Sequence, residues 1–325
     1  MEETYKSWPS LIRSVTSLTI PTIDADRYDT LVITGVGGSG IVGDFIHNYT
    51  YELDSLLHIV SLKDLQVPKP LLGRKTLVVA VSYSGNTTET LNAVRKFLDS
   101  GSRVIGVTSG GLLKQVLGRD NTVEIPIGYQ PRAAFPLLLG AVLKFLIDNN
   151  ILEAESRMLE TIAGKMEDLK METLSYAARL GDEISLHNRG PIILACRKYY
   201  PLALRMRQEL SENSKLVSIA EELPDAAHNL IVGYTLSREE RSLVTIDPGE
   251  RYCSALLSIY EDVTGYAPIR VELKGDNIVE KTIWGSWLAG LASVHASKKR
   301  GFNPEDIEPI KQYRLMLKSL INEKR

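Results

Sequence analysis

Residues 33–45 read ITGVGGSGIVGDF, the end of an apolar strand, a run of glycines and the start of a helical pattern. Gly35, Gly37 and Gly40 fall on G-x-G-x-x-G, where the glycines let the backbone approach a phosphate and the following helix turns its unpaired N–H groups toward it. A dinucleotide pyrophosphate and a small phosphate ester both suit such a turn. The stretch therefore establishes a strand–loop–helix unit at the head of a parallel sheet and leaves its ligand open.

Outward from this unit, short apolar runs alternate with amphipathic ones, the pattern of parallel strands joined by helices. Strands are expected at 29–34, 57–62, 76–81, 103–108 and 122–127, with a helix from about Arg132 to Asn149. From Glu153 to Ser185 the apolar positions recur at helical spacing among many charges, which predicts a helical connector. The alternation then restarts with PIILA at Pro191, KLVSIA at Lys215, SLVTI at Ser242 and PIRVEL at Pro268, followed by helices from about Lys281 and Asp306. The expected architecture is α/β, two doubly wound parallel-sheet domains with a helical connector and a C-terminal helix. Its divisions are residues 1–152, 153–186 and 187–325. A chain of 325 residues exceeds what one core usually organises, which agrees with two domains.

Composition excludes several function classes. The hydrophobic fraction of 44% and charged fraction of 24% are ordinary globular values, and 40 acidic against 38 basic residues leave a net charge of -2. That balance offers no basic field for nucleic acid or an anionic membrane. The longest apolar stretch, from Ala133 to Val142, is too short to span a bilayer. The start, MEETYKSW, is acidic where a secretory leader is basic, so a cytoplasmic protein is expected. Cys196 and Cys253 lie in no CxxC or Cys/His ligand spacing, and neither a disulfide framework nor a zinc site is expected.

Ligands of open parallel sheets bind beyond the carboxyl ends of the strands. The third strand ends there in VSYSGNTTET, where Ser82, Ser84, Thr87 and Thr88 offer hydroxyls just before a helix. Capping that helix would account for any one of these; five hydroxyls within seven residues, counting Tyr83, exceed what capping needs. With the glycine loop they form a cup of donors for a phosphate without a lysine. The dinucleotide reading instead asks for an acidic residue about 20 positions past the glycines, which only Asp64 supplies, and it leaves the second loop unused. A Walker-type loop is excluded because no lysine follows the glycines.

GVGGSG followed by SYSGNTTET resembles the sugar-isomerase (SIS) domain. QPRAA, QELSENSK and EELPDAAHN, with a basic C-terminal helix, extend the resemblance over nearly the whole chain to the bifunctional phosphoglucose/phosphomannose isomerases found mainly in archaea and some bacteria. The resemblance implies a homodimer with sites near the subunit interface and a cofactor-free, metal-free interconversion of glucose 6-phosphate, and of mannose 6-phosphate, with fructose 6-phosphate. Gly38, Ser39, Ser82, Ser84 and Thr87 then hold the phosphate. The absence of a histidine cluster also argues against the unrelated zinc-dependent type of phosphomannose isomerase.

Glu212 falls near the end of a helix that Pro201 opens and Leu202, Met206 and Leu210 line as a buried stripe. A carboxylate there faces the negative end of the dipole, which favours proton binding; a plain solvated helix end is the alternative, and the resemblance selects the base that moves the proton between C1 and C2. His228 lies in a polar turn, and the resemblance gives it ring opening across the dimer interface. Arg132 either pairs at the surface or, as the resemblance implies, steadies the enediolate. The family's active-site lysine aligns with Arg314, and Lys311 one turn earlier is the alternative cation; an amphipathic surface helix would account for both. Arginine's flat fork does not reproduce a compact ammonium. Two further readings are a non-catalytic sugar-phosphate sensor, for which no DNA-binding domain has room, and an NAD(P)-dependent oxidoreductase.

Overall fold

The computed structural model describes residues 1–237 and 241–322. The strands are β1 (Thr30–Thr34), β2 (His58–Leu62), β3 (Thr76–Val81), β4 (Arg103–Thr108), β5 (Thr122–Glu124), β6 (Ile192–Cys196), β7 (Ile219–Leu223), β8 (Leu243–Asp247) and β9 (Ile269–Glu272). The helices are α1 (Glu2–Lys6), α2 (Trp8–Val15), α3 (Ile41–Tyr49), α4 (Thr88–Asp99), α5 (Gly111–Leu117), α6 (Phe135–Asp148), α7 (Met158–Asp168), α8 (Lys170–Ser185), α9 (Tyr200–Ser214), α10 (Leu230–Leu236), α11 (Arg251–Thr264), α12 (Ile278–Lys299) and α13 (Glu308–Asn322). Two compact units result, one of Ser7–Gly164 with Asp306–Arg325, the other of Met1–Lys6 with Lys165–Glu305.

In the first unit the sheet order is β2-β1-β3-β4-β5, every pair parallel. β1 and β3 carry the aliphatic runs 31–33 and 77–81 because helices cover both faces of a parallel sheet. On one face Leu91, Val94 and Phe97 of α4 with Leu113 and Leu117 of α5 pack on Val32, Val78, Ala80 and Val104. The alternate residues Leu31, Ile33, Leu77 and Val79 are buried too, on the face that α3 and α6 cover with Phe45 and Phe135, whose ring centroids lie 5.3 Å apart. α2 closes that side, Trp8 Nε1 donating to the Ala133 carbonyl at 3.0 Å.

In the second unit the order is β7-β6-β8-β9, again all parallel. One face is filled by Leu257 and Tyr260 of α11 and Tyr234 of α10 against Ile192, Leu194 and Leu243. α9 covers the other face, and the long helix α12 packs on α9 and α8. Asn277 caps α12, its side chain accepting from the Glu280 N–H at 3.0 Å.

The differences from the sequence reading have local causes. β5 stops at Glu124 because Pro126 brings no N–H to the ladder. α6 starts at Phe135, three residues after Arg132, since Pro131 and Pro136 leave a turn between them. β7 begins at Ile219, four residues into KLVSIA rather than at Lys215: Lys215 adopts a left-handed conformation (φ 57°) that ends α9, and Val217 is exposed. The strand runs into Glu221 and Glu222 because it is a sheet edge with only Ala220 and Leu223 buried. The expected connector is two helices, α7 and α8, and α13 groups with the first sheet's unit, lying near α4, not with the second.

The expectation of no disulfide is corrected. Cys196 at the end of β6 and Cys253 in the first turn of α11 are bonded, their Cα atoms 5.8 Å apart. Sequence spacing gave no signal because the pairing is tertiary, set by α11 returning over β6. The bond closes a segment of 57 residues, and cross-links of this kind stabilise by about 2–4 kcal/mol, chiefly by restricting the unfolded chain. Urea unfolding with and without a reductant is expected to show a lower midpoint in the reduced protein; superimposable transitions would contradict it.

Candidate functional site

Strand order reverses between β1 and β3, so the loops that follow them flank the switch point of the first sheet. The β1–α3 loop is tight. A Cβ on Gly35 would lie 2.7 Å from the Val81 carbonyl oxygen and one on Gly40 2.6 Å from the Gly35 oxygen. The glycines thus serve close backbone packing of one loop on its neighbouring strand, which a phosphate loop at a helix N-terminus requires whatever its ligand. Ser39 is buried in this loop, and its Oγ accepts from the Tyr83 N–H at 3.4 Å, tying the two loops together; Gly38 stands beside it, partly exposed.

In the β3–α4 loop, Gly85 has φ +66° and lies so close to the next loop that a Cβ would sit 1.9 Å from the Gly110 oxygen. Thr87 is the N-cap residue of α4 yet makes no capping bond; its Oγ1 instead lies 3.0 Å from Ser82 Oγ. Ser84 is exposed and accepts from the Asn86 N–H at 3.3 Å. The bland assignment of Thr87 to helix capping therefore does not describe this loop. Tyr83, whose hydroxyl the sequence counted among the donors, is buried and turned away: it donates to the Pro126 carbonyl at 3.2 Å and accepts from the Tyr129 N–H at 2.8 Å. Burial raises its pKa. This pair of bonds moors the loop to the segment that leads into Arg132, whose side chain is buried in the same unit.

Asp64, the candidate for a ribose hydroxyl, accepts from the Gln66 N–H at 3.0 Å in a local turn. Lys311 and Arg314 are both exposed on α13, where Lys311 pairs with Glu308 at 3.5 Å.

In the second unit Glu212 lies in the last turn of α9, partly exposed, as its position before the Lys215 terminus dictates. Lys215 Nζ donates to the Glu212 carbonyl at 2.5 Å. Leu202, Met206 and Leu210 form the expected buried stripe. His228 is exposed at the end of a 3-10 turn, Asp225–His228, that follows β7. Nearby on β7 the Glu221 carboxyl is pushed above its ordinary range by burial, then by Asp225 and Glu222. The other histidines read as structural where partners are seen: His47 Nδ1 lies 2.9 Å from the Ile59 oxygen and His295 Nε2 2.8 Å from Asp182. Among the described residues no group of three His, Cys, Asp or Glu side chains is placed to hold a metal ion, and no helix is long and apolar enough to cross a membrane.

Residues 27–138 match the SIS domain and residues 176–317 the bacterial phospho-glucose isomerase C-terminal SIS domain, so fold and loops together define a protein of two SIS domains. In the solved structures, tagatose-6-phosphate ketose/aldose isomerase from Escherichia coli shares this fold with a TM-score of 0.72 at 15% identity, over 93% of each chain. The bifunctional phosphoglucose/phosphomannose isomerase of Aeropyrum pernix is 30% identical over 98% of both chains, and the chain belongs to that family. A D-glucosamine-6-phosphate 4-epimerase from Sulfolobus acidocaldarius is 29% identical over 97% of both chains.

Proposed function

We propose that the chain is an aldose–ketose isomerase that interconverts glucose 6-phosphate and fructose 6-phosphate, and mannose 6-phosphate and fructose 6-phosphate, through one cis-enediol intermediate. Family membership supports the reaction, and the hydroxyl pair of Ser82 and Thr87, 3.0 Å apart at the switch point and unused by α4, is the observation that carries the sugar-phosphate assignment. A phosphate seated on the α3 and α4 N-termini meets the positive ends of both helix dipoles, with the Gly38 backbone and the Ser39, Ser82, Ser84 and Thr87 hydroxyls as its donors.

His228 opens the pyranose ring by returning a proton to the ring oxygen. Glu212 takes the proton from C2 of the aldose and delivers it to C1, giving the ketose. Arg132 faces the negative charge that develops on the enediolate, a fixed cation that lowers the barrier without carrying a proton. Arg314, or Lys311, supplies a further cation. The chemistry asks for no metal or organic cofactor, and the working form is a homodimer. The planar enediol has lost its configuration at C2, so a small rotation about the C2–C3 bond lets one base serve both epimers.

The test is to feed glucose 6-phosphate, mannose 6-phosphate and glucosamine 6-phosphate separately, with a chelator present, reading fructose 6-phosphate by a coupled assay for the first two and the C4 epimer by nuclear magnetic resonance for the third. Both hexose phosphates are expected to yield fructose 6-phosphate. Turnover of glucose 6-phosphate alone would make this a single-substrate isomerase. Inertness toward both with epimerisation of glucosamine 6-phosphate would move the function to a second reading, which the Sulfolobus relative favours.

A further inference from the structure

Beside the apolar stripe of α9 runs a second buried stripe that is polar. Arg205, Glu209 and Asn213 succeed one another at four-residue spacing and all three are fully buried. Glu209 joins them, pairing with Arg205 and accepting from Asn213 Nδ2 at 2.9 Å. Tyr5 of α1, also fully buried, donates to Glu209 at 2.5 Å. Asn213 reaches on to α12, donating to Ser293 Oγ at 2.8 Å, and its neighbour Ser214 donates to the Ser293 carbonyl at 2.7 Å.

The Tyr5 arm of this network is itself braced. Trp287 Nε1 donates to the Tyr5 carbonyl at 2.6 Å, and Tyr5 lies flush on α12 because Gly290 has no Cβ, which would sit 2.2 Å from the ring. Burial, then the Glu209 carboxylate, raises the Tyr5 pKa well above its ordinary value and keeps the hydroxyl a donor. Buried polar networks of this sort can rigidify a core and specify its packing. They cost desolvation that an apolar core would avoid, so their placement calls for a reason. The two residues anchored on Ser293 are the two that directly follow Glu212.

We propose that Tyr5, Glu209, Asn213 and Ser293 are positioning residues that clamp the last turn of α9 to α1 and α12 and so aim the Glu212 carboxylate. The inference rests on the reading of Glu212 as the base. Misplacing a reacting group by about 1 Å costs up to roughly a hundredfold in rate, so a clamp acts on turnover and leaves phosphate binding alone.

The variants are Tyr5→Phe and Ser293→Ala, each of which removes a single hydroxyl, with Glu212→Gln beside them. Turnover and KM for glucose 6-phosphate are measured at a temperature where circular dichroism shows each variant folded. The clamp predicts kcat lower by about ten- to a hundredfold with KM within twofold of the parent. Folded variants with the parent's kcat, or with KM raised in step with any loss, overturn the clamp and leave a plain packing role. The control separates the two claims. An active Glu212→Gln removes the base assignment and the clamp with it, whereas an inactive one beside fully active Tyr5→Phe and Ser293→Ala removes the clamp alone.

Discussion

Glu212→Gln is expected to lose between about a hundredfold and ten-thousandfold of turnover on glucose 6-phosphate and on mannose 6-phosphate alike, the range that a positioned acid–base group contributes. The substitution keeps the shape of the side chain and removes only its capacity to take a proton. Glu212 is partly exposed at a helix end, with its neighbours Asn213 and Ser214 held on α12. The fold should therefore persist and sugar phosphate should still bind. Titration calorimetry with fructose 6-phosphate, alongside the coupled assay, checks both halves. A variant within a few-fold of the parent would show that another group moves the C1/C2 proton.

The second large effect is expected in binding. In the proposed phosphate cup, Ser84→Ala combined with Thr87→Ala would remove two hydroxyl donors to a charged oxygen, each worth about 1.5 to 3 kcal/mol. Affinity for fructose 6-phosphate should fall by at least about a hundredfold. Ser84 is exposed and Thr87 contributes no capping bond to α4, so beyond the loss of the Thr87–Ser82 hydroxyl contact the fold should persist. Retained affinity for the sugar phosphate would take the cup out of the site. Tight binding of NAD by the same variant would return the glycine loop to the dinucleotide reading.

Much of the architecture was written in local pattern. β3 and β4 match their expected limits because both are apolar runs with clear boundaries in the middle of a sheet, where burial on both faces leaves little freedom of composition. Edge elements were less legible. β7 carries the half-buried Glu221 and Glu222 on a sheet edge, so its sequence has a weak strand signature, and Leu216 just before it closes the end of α9. The loops after β1 and β3 stood out in the sequence by their glycines and hydroxyls, and the phosphate role is proposed for them on that basis. What spacing did not convey is that Tyr83 turns inward as a mooring post while Thr87 declines to cap its helix.

The polar stripe of α9 marks the limit of reading charge as solvent exposure. Arg205 and Glu209 look like an ordinary surface pair four residues apart, and only the arrival of Tyr5 from the opposite end of the chain and of Ser293 from α12 makes them interior. The Cys196–Cys253 bond was hidden for the same reason, because the contact depends on how α11 returns over β6. Both are tertiary facts that no window of sequence contains.

The central claim is that one site and one base serve both aldose phosphates, and mutual inhibition tests it most directly. Conversion of glucose 6-phosphate is followed by nuclear magnetic resonance at increasing mannose 6-phosphate, and the reverse titration is run in the same way. One shared site predicts competitive inhibition in both directions, with each sugar's inhibition constant equal to its own KM as a substrate. Independent turnover of the two sugars, with neither slowing the other at saturating concentration, would contradict it.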